Sequence, residues 1–249
     1  MSSALEIAAI GMRTQQSALD LIAGNVSNIN TPAFKRSELR FSELVMAGSA
    51  TASGASAVAG VAQADVAPLD NQGQIDRTGN LADLAIEGAG FVELMGPAGK
   101  TLLWRGGALR ILEDGRLATS AGLVLKAAIT VPREAVAIAI DANGLVRAQQ
   151  QDGLNEEIGR IELVKSQDSS AILRAGGGVY EVADTAHLDA GAPGDEGFGL
   201  LVQGAIERSN VDLNREMIDL LISQRAYAAN AQVLKAADEL YGIANGLRR

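Results

Sequence analysis

Residues 213–242 read LNREMIDLLISQRAYAANAQVLKAADELYG, and the spacing of their apolar residues decides the fold. Leu213, Met217, Leu220, Gln224, Tyr227, Ala231, Leu234 and Tyr241 follow one another at steps of three or four, with one step doubled before Tyr241. Such steps lay a narrow stripe along one side of an α-helix, as in a coiled-coil seam. Residues 3–29 carry a second stripe of the same kind, through Leu5, Ala8, Met12, Gln15, Leu19, Ile22 and Val26. A stripe this narrow needs a partner helix. The partner is either the other end of the same chain or the ends of neighbouring copies, and the second option points to assembly rather than catalysis.

Local signals bound both helices. The first is expected to fail around Asn28-Ile29-Asn30-Thr31-Pro32, because Asn and Thr compete for backbone hydrogen bonds and Pro32 disfavours helix at Thr31. Ser209 or Asp212 is placed to cap the last helix, which runs to about Leu247. Several polar residues sit on these helices. Asn25 and Asn28 lie near the end of the first, and Gln224, Arg225 and Asn230 interrupt the apolar surface of the last. They read either as register-fixing amides or as a partly exposed surface.

The middle of the chain carries a different period. Short apolar runs alternate with the turn pairs Glu87-Gly88, Asp114-Gly115, Asn143-Gly144 and Asp152-Gly153. Those pairs accept positive φ cheaply and mark hairpins, so the region reads as antiparallel β. The expected strands include 84–86, 91–95, 102–105, 109–112, 124–127, 136–140, 145–149, 159–164, 179–182 and a last one at 200–207. Ahead of them, residues 46–64 (MAGSATASGASAVAGVAQA) are uncharged Ala, Gly and Ser for the most part and read as a flexible or extended linker. The expected organisation is a helix and following segment at 1–45, the linker at 46–64, a β-rich domain at 65–205 and the C-terminal helix at 206–249. The fold class is α+β, with the two end helices forming a coiled-coil-like layer beside an antiparallel all-β middle domain.

Composition narrows the function. Of 249 residues, 47% are hydrophobic but only 3% aromatic, which suits close helix packing and thin sheets more than deep ligand pockets. A net charge of −9 brings no general attraction to nucleic acid or anionic membrane. A short basic cluster at Lys35, Arg36 and Arg40 reads as a solvated helix-end patch. No stretch is apolar enough to span a membrane, and the first residues lack the pattern of a cleaved signal peptide. The absence of cysteine excludes disulfides, thiolate chemistry and Cys-based metal sites.

No catalytic constellation stands out. His187, the single histidine, lies in a polar loop, Gly88-Ala89-Gly90 lacks the third glycine of a dinucleotide fingerprint, and Gly176-Gly177-Gly178 reads as a loose turn. Neither an enzyme nor a cofactor or metal is expected.

The ends and the start of the β region resemble the bacterial flagellar rod and hook proteins. The likeness is carried by residues 19–28 (LDLIAGNVSN) with 30–36 (NTPAFKR), by 83–91 (DLAIEGAGF), and by Ser209-Asn210-Val211-Asp212 with Glu216-Met217-Ile218 and Gln224-Arg225-Ala226-Tyr227 up to Asn230. It covers nearly the whole chain. The resemblance implies a structural subunit of the basal-body rod that polymerises helically through its end helices and lines the export channel. Its implied partners are copies of itself, neighbouring rod and hook proteins and the flagellar type III export apparatus, which needs no cleaved leader. Within the family the two ends look most like distal-rod members. Length and the run 159–165 are closer to proximal-rod members. The stripes, extended by the motif residues Asn25, Asn28, Phe34, Asn210, Val211, Arg225 and Asn230, make up the expected assembly interface. Ala33 stands where the family carries a glycine; because alanine at positive φ costs on the order of 1 kcal/mol, Ala33 is expected at negative φ. A reading from another class is a secreted monomeric binding module with a self-contained helical hairpin.

Overall fold

The computed structural model describes residues 2–38, 40–45, 58–64, 71–150, 154–166, 172–182 and 187–246. Helix α1 (Ser2–Ser27) opens it and α2 (Leu213–Gly246) closes it. Between them run β1 (Arg40–Val45), β2 (Val58–Ala64), β3 (Ile75–Arg77), β4 (Asp83–Glu87), β5 (Phe91–Met95), β6 (Thr101–Trp104), β7 (Gly106–Ile111), β8 (Leu117–Thr119) and β9 (Val124–Leu125). They are followed by β10 (Ala135–Ile140), β11 (Leu145–Gln150), β12 (Asn155–Arg160), β13 (Leu163–Ser166), β14 (Ile172–Gly176), β15 (Val179–Val182), β16 (Leu188–Gly191), β17 (Leu200–Gln203) and β18 (Ala205–Glu207). All the strand pairings described are antiparallel, so the chain is α+β as expected.

The chain divides into two compact units. One takes Met1–Ser27, Ser37–Val66 and Asp212–Arg249; the other takes Asn28–Arg36 and Ala67–Val211. In the helical unit α1 stops where the Asn-rich turn begins, with Thr31 N–H donating to Asn28 O at 3.0 Å. Asp212 caps α2, its Oδ1 accepting from the N–H of Asn214 at 2.8 Å and of Arg215 at 3.4 Å. The hairpin β1–β2 also belongs here. Of the stretch read as a linker, 46–57 lies outside the described residues, and 58–64 is the second strand of that hairpin.

In the β unit, β5 and β6 carry two cores on their two faces, because successive residues of a strand point opposite ways. Val92, Leu94, Leu102 and Trp104 face the larger cluster with Leu84, Ile86, Leu163 and Leu201. Leu103 faces a smaller one with Val164, Ile172 and Tyr180, against which Phe91 packs. β5 pairs β6 along one edge, and β13 then β9 along the other. At the turn from β7 to β8, Asp114 accepts from the backbone N–H and the guanidinium of Arg116, which hold its carboxyl below the usual carboxylate range.

Two expected strands are each divided. The run 159–164 splits because β12 joins β11 in a separate three-stranded sheet, while β13 joins β5 and β16. The run 200–207 splits at Gly204, whose φ of 73° turns the chain so that β17 pairs β4 and β18 pairs β3. Ala33 is found at φ 56°, in the left-handed region, against the expectation of negative φ. The reason is tertiary. Its N–H donates to Glu207 O at 2.8 Å and its carbonyl accepts from the Tyr180 hydroxyl at 3.2 Å, so both backbone groups are claimed by the β unit. Two hydrogen bonds outweigh a dihedral cost of this size.

Candidate assembly site

The two helices of the helical unit pack antiparallel. Asn25 Nδ2 donates to Glu216 Oε2 at 3.3 Å, and fourteen residues away on each helix a Cβ built on Gly11 would fall 2.7 Å from Asn230 Nδ2. On α2 the inward line is Glu216 and Ser223, both buried, with the half-buried Asn230, a heptad of polar residues. On α1 it includes the buried Ala8, Ile22 and Asn25.

Of the C-terminal stripe read from the sequence, Met217, Gln224 and Ala231 lie one residue beyond the contact line, about 100° around the helix, and Leu213, Leu220, Tyr227 and Leu234 lie about 60° from it on the same side. Leu213, Met217 and Tyr227 are exposed, as are Gln224 and Arg225, while Leu220, Asn230, Ala231 and Leu234 are half-buried. Around them the outer surface of α2 shows Ile218 at 57%, Leu221 at 53% and Ile222 at 60% exposure. The N-terminal stripe is different: Ala8 and Ile22 are buried and Met12, Gln15, Leu19 and Val26 half-buried. The side chains of Leu5 and Tyr241 lie outside the described residues.

The other motif residues belong to the β unit. Phe34 and Val211 are buried there and Asn28 is half-buried. Asn210 joins the segment 33–36 to its surroundings: its N–H donates to Phe34 O at 3.2 Å, its Oδ1 accepts from Arg36 N, and its Nδ2 donates to Asn71 O at 2.8 Å. Lys35 and Arg36, expected as a solvated patch, are both buried. Lys35 Nζ binds Glu207 Oε1 and donates to Asn71 O at 3.0 Å. The other carboxylate oxygen of Glu207 accepts from Arg105 Nε at 3.0 Å, and Oε1 also takes the N–H of Gly73 at 2.7 Å. Arg105 donates further to Gly88 O and Gly90 O, and its guanidinium lies 5.7 Å over the ring of Phe91. Gly73 has no room for a side chain, since a Cβ there would fall 2.0 Å from Arg208 O. The solvated reading of Lys35 failed because its partner stands 172 residues away in sequence.

Glu207, Arg105, Glu216 and Gly11 were not singled out for these roles from the sequence. A faint signal existed in Glu207, a lone charge ending an otherwise apolar strand. The Lys35–Glu207–Arg105 group is closed, and a cavity of about 350 Å³ beside β10 is walled by aliphatic side chains, with Arg110 and Gln203 as its polar members. Among the described residues no group of three or more His, Asp or Glu could hold a metal ion, and no helix is long and apolar enough to cross a membrane. His187 is exposed beside Asp189 at 3.8 Å.

Three family descriptions match the chain in order: flagella basal body rod protein over residues 5–35, flagellar hook protein FlgE/F/G D1 domain over 85–148, and flagellar basal body rod FlgEFG protein C-terminal over 202–247. The flagellar basal-body rod protein FlgG of Borreliella burgdorferi is 34% identical over 265 residues, spanning 100% of both chains. FlgG of Caulobacter vibrioides is 33% identical over 98% of this chain and 99% of its own. The flagellar basal-body rod protein FlgF of the same bacterium is 30% identical over 96% and 95%.

Proposed function

Because the chain belongs to the flagellar basal-body rod protein family, we propose that it works as a structural subunit of the rod, at its distal part, and not as an enzyme. Subunits stack helically through α1 and α2, so that the helices form an inner coiled-coil-like layer that transmits torque and lines the export channel. The partners are further copies of this chain and the neighbouring rod and hook proteins. Delivery is by the flagellar type III export apparatus, to the basal body.

One observation carries the reading: large aliphatic side chains of α2 stand in water on the side away from α1. Burying each against a neighbour would contribute roughly 1.5–3 kcal/mol, repeated in every subunit. The full-length likeness to FlgG supports the distal position. The likeness to FlgF keeps a proximal rod subunit, or a short hook-type protein, as the second reading. Locating the protein within isolated basal bodies separates the two.

The test of assembly is the double variant Ile218→Asp with Leu221→Asp. The purified chain should keep its helical ellipticity and melting temperature, since both side chains are exposed. In cells lacking the parent chain it should fail to enter basal bodies and fail to restore swimming. Normal incorporation would sink assembly through this face of α2, whereas absence of the parent chain itself from basal bodies would favour a secreted monomeric binding module.

A further inference from the structure

We infer that Asn25 and Glu216 are the positioning residues that set the register of α1 against α2, and that the pair is held in place by polar bonds rather than by apolar burial. Asn25 is 1% exposed and Glu216 0%. The Asn25 amide uses both ends. Its Oδ1 accepts from Ser37 N at 3.0 Å, and its Nδ2 donates to Ser37 O at 2.9 Å and to Glu216 Oε2 at 3.3 Å. The amide therefore docks on the backbone of Ser37, where the chain returns to the helical unit, and from there reaches across to α2.

Apart from the buried Ile22, the rest of the contact line offers little to choose one register over another. Ala8, Gly11 and Ala18 on one side, and Ser223 and Asn230 on the other, are small or polar and recur at heptad steps. Sliding one helix by seven residues would bring similar surfaces together. It would also break the bond between the Asn25 amide and the buried Glu216 carboxylate, and a lost hydrogen bond to a charged group is costly. A single buried polar contact in an otherwise repetitive seam is a known means of fixing register. Gly11 adds a notch for Asn230, since any side chain there would meet its amide.

The absence of cysteine makes the inference open to a clean measurement. Gly11→Cys with Asn230→Cys reports the observed register, because a Cβ on residue 11 lies 3.1 Å from Asn230 Cγ, close to disulfide geometry. Ala18→Cys with Asn230→Cys reports a slip of seven residues. The full-length chain is oxidised in dilute solution, and the intramolecular disulfides are counted by peptide mass. The first pair should dominate strongly. Adding Asn25→Ala or Glu216→Ala should lower the ratio of the two yields about tenfold, equivalent to about 1.4 kcal/mol of register preference. Glu216→Gln, which keeps an oxygen for Asn25 Nδ2, should hold the ratio. An unchanged ratio in both alanine variants would overturn the inference. So would an equal loss in Glu216→Gln, or a ratio that falls only together with the helical signal at 222 nm. The readout is intramolecular, so its failure leaves the rod assignment standing. Failure of the α2 surface variant to abolish incorporation likewise leaves the register standing.

Discussion

Ala33 and Glu207 show two ways in which a single residue is committed by distant partners. The Ala33 methyl is buried, and Gly178, opposite, leaves it space; a Cβ at 178 would stand 3.3 Å away. Ala33→Gly relieves the left-handed strain, but frees the unfolded chain and removes a buried methyl, each by about 1 kcal/mol. The change in stability should stay within about 1 kcal/mol. Ala33→Val puts a β-branched side chain at positive φ in a filled site and should cost about 2 kcal/mol or more. Urea unfolding followed by Trp104, the sole tryptophan and buried in the β unit, checks both. Glu207 is one carboxylate between two buried cations. Glu207→Gln leaves Lys35 and Arg105 without a counter-charge and should cost roughly 3–5 kcal/mol. Lys35→Met leaves one cation facing one carboxylate and should cost less, roughly 1–2 kcal/mol. A reversed order in the same unfolding series would refute this account of the cluster.

The elements follow their own sequences closely where the signal is local. α2 starts where Asp212 can cap it, and the cap is made. Asp212→Ala should therefore destabilise α2 by about 1 kcal/mol, seen as an earlier loss of ellipticity at 222 nm with little change at Trp104. The strands at 91–95 and 179–182 stand where their apolar runs predict them. Elements went astray where a partner decided the outcome. β12 and β13 are separate because they serve different sheets, and β17 and β18 because Gly204 turns between them. The C-terminal stripe is correct as a helical pattern, yet its centre lies about 80° from the line that meets α1. Periodicity locates the apolar side of a helix but not what that side faces.

For the molecule as a whole, the polar line goes inward in the helical unit and large apolar residues stay outside, the reverse of an isolated helical hairpin. On the proposed reading, a chain built this way is completed by others. Deleting residues 213–247 should leave the β unit folded, by the unchanged fluorescence of Trp104, and unable to enter a basal body. Incorporation of that truncated chain would contradict assembly through α2. The amino-acid sequence alone determined the α+β class, the two end helices, the hairpin-rich middle and the family likeness, because these rest on periods and turn residues spanning a few positions. Tertiary structure alone decided the left-handed Ala33, the burial of Lys35 with Glu207 and Arg105, and the meeting of Asn25 with Glu216. Each of these depends on groups brought together across 100 residues or more, and the energy of a hydrogen bond or an ion pair exists only once the fold has made them neighbours.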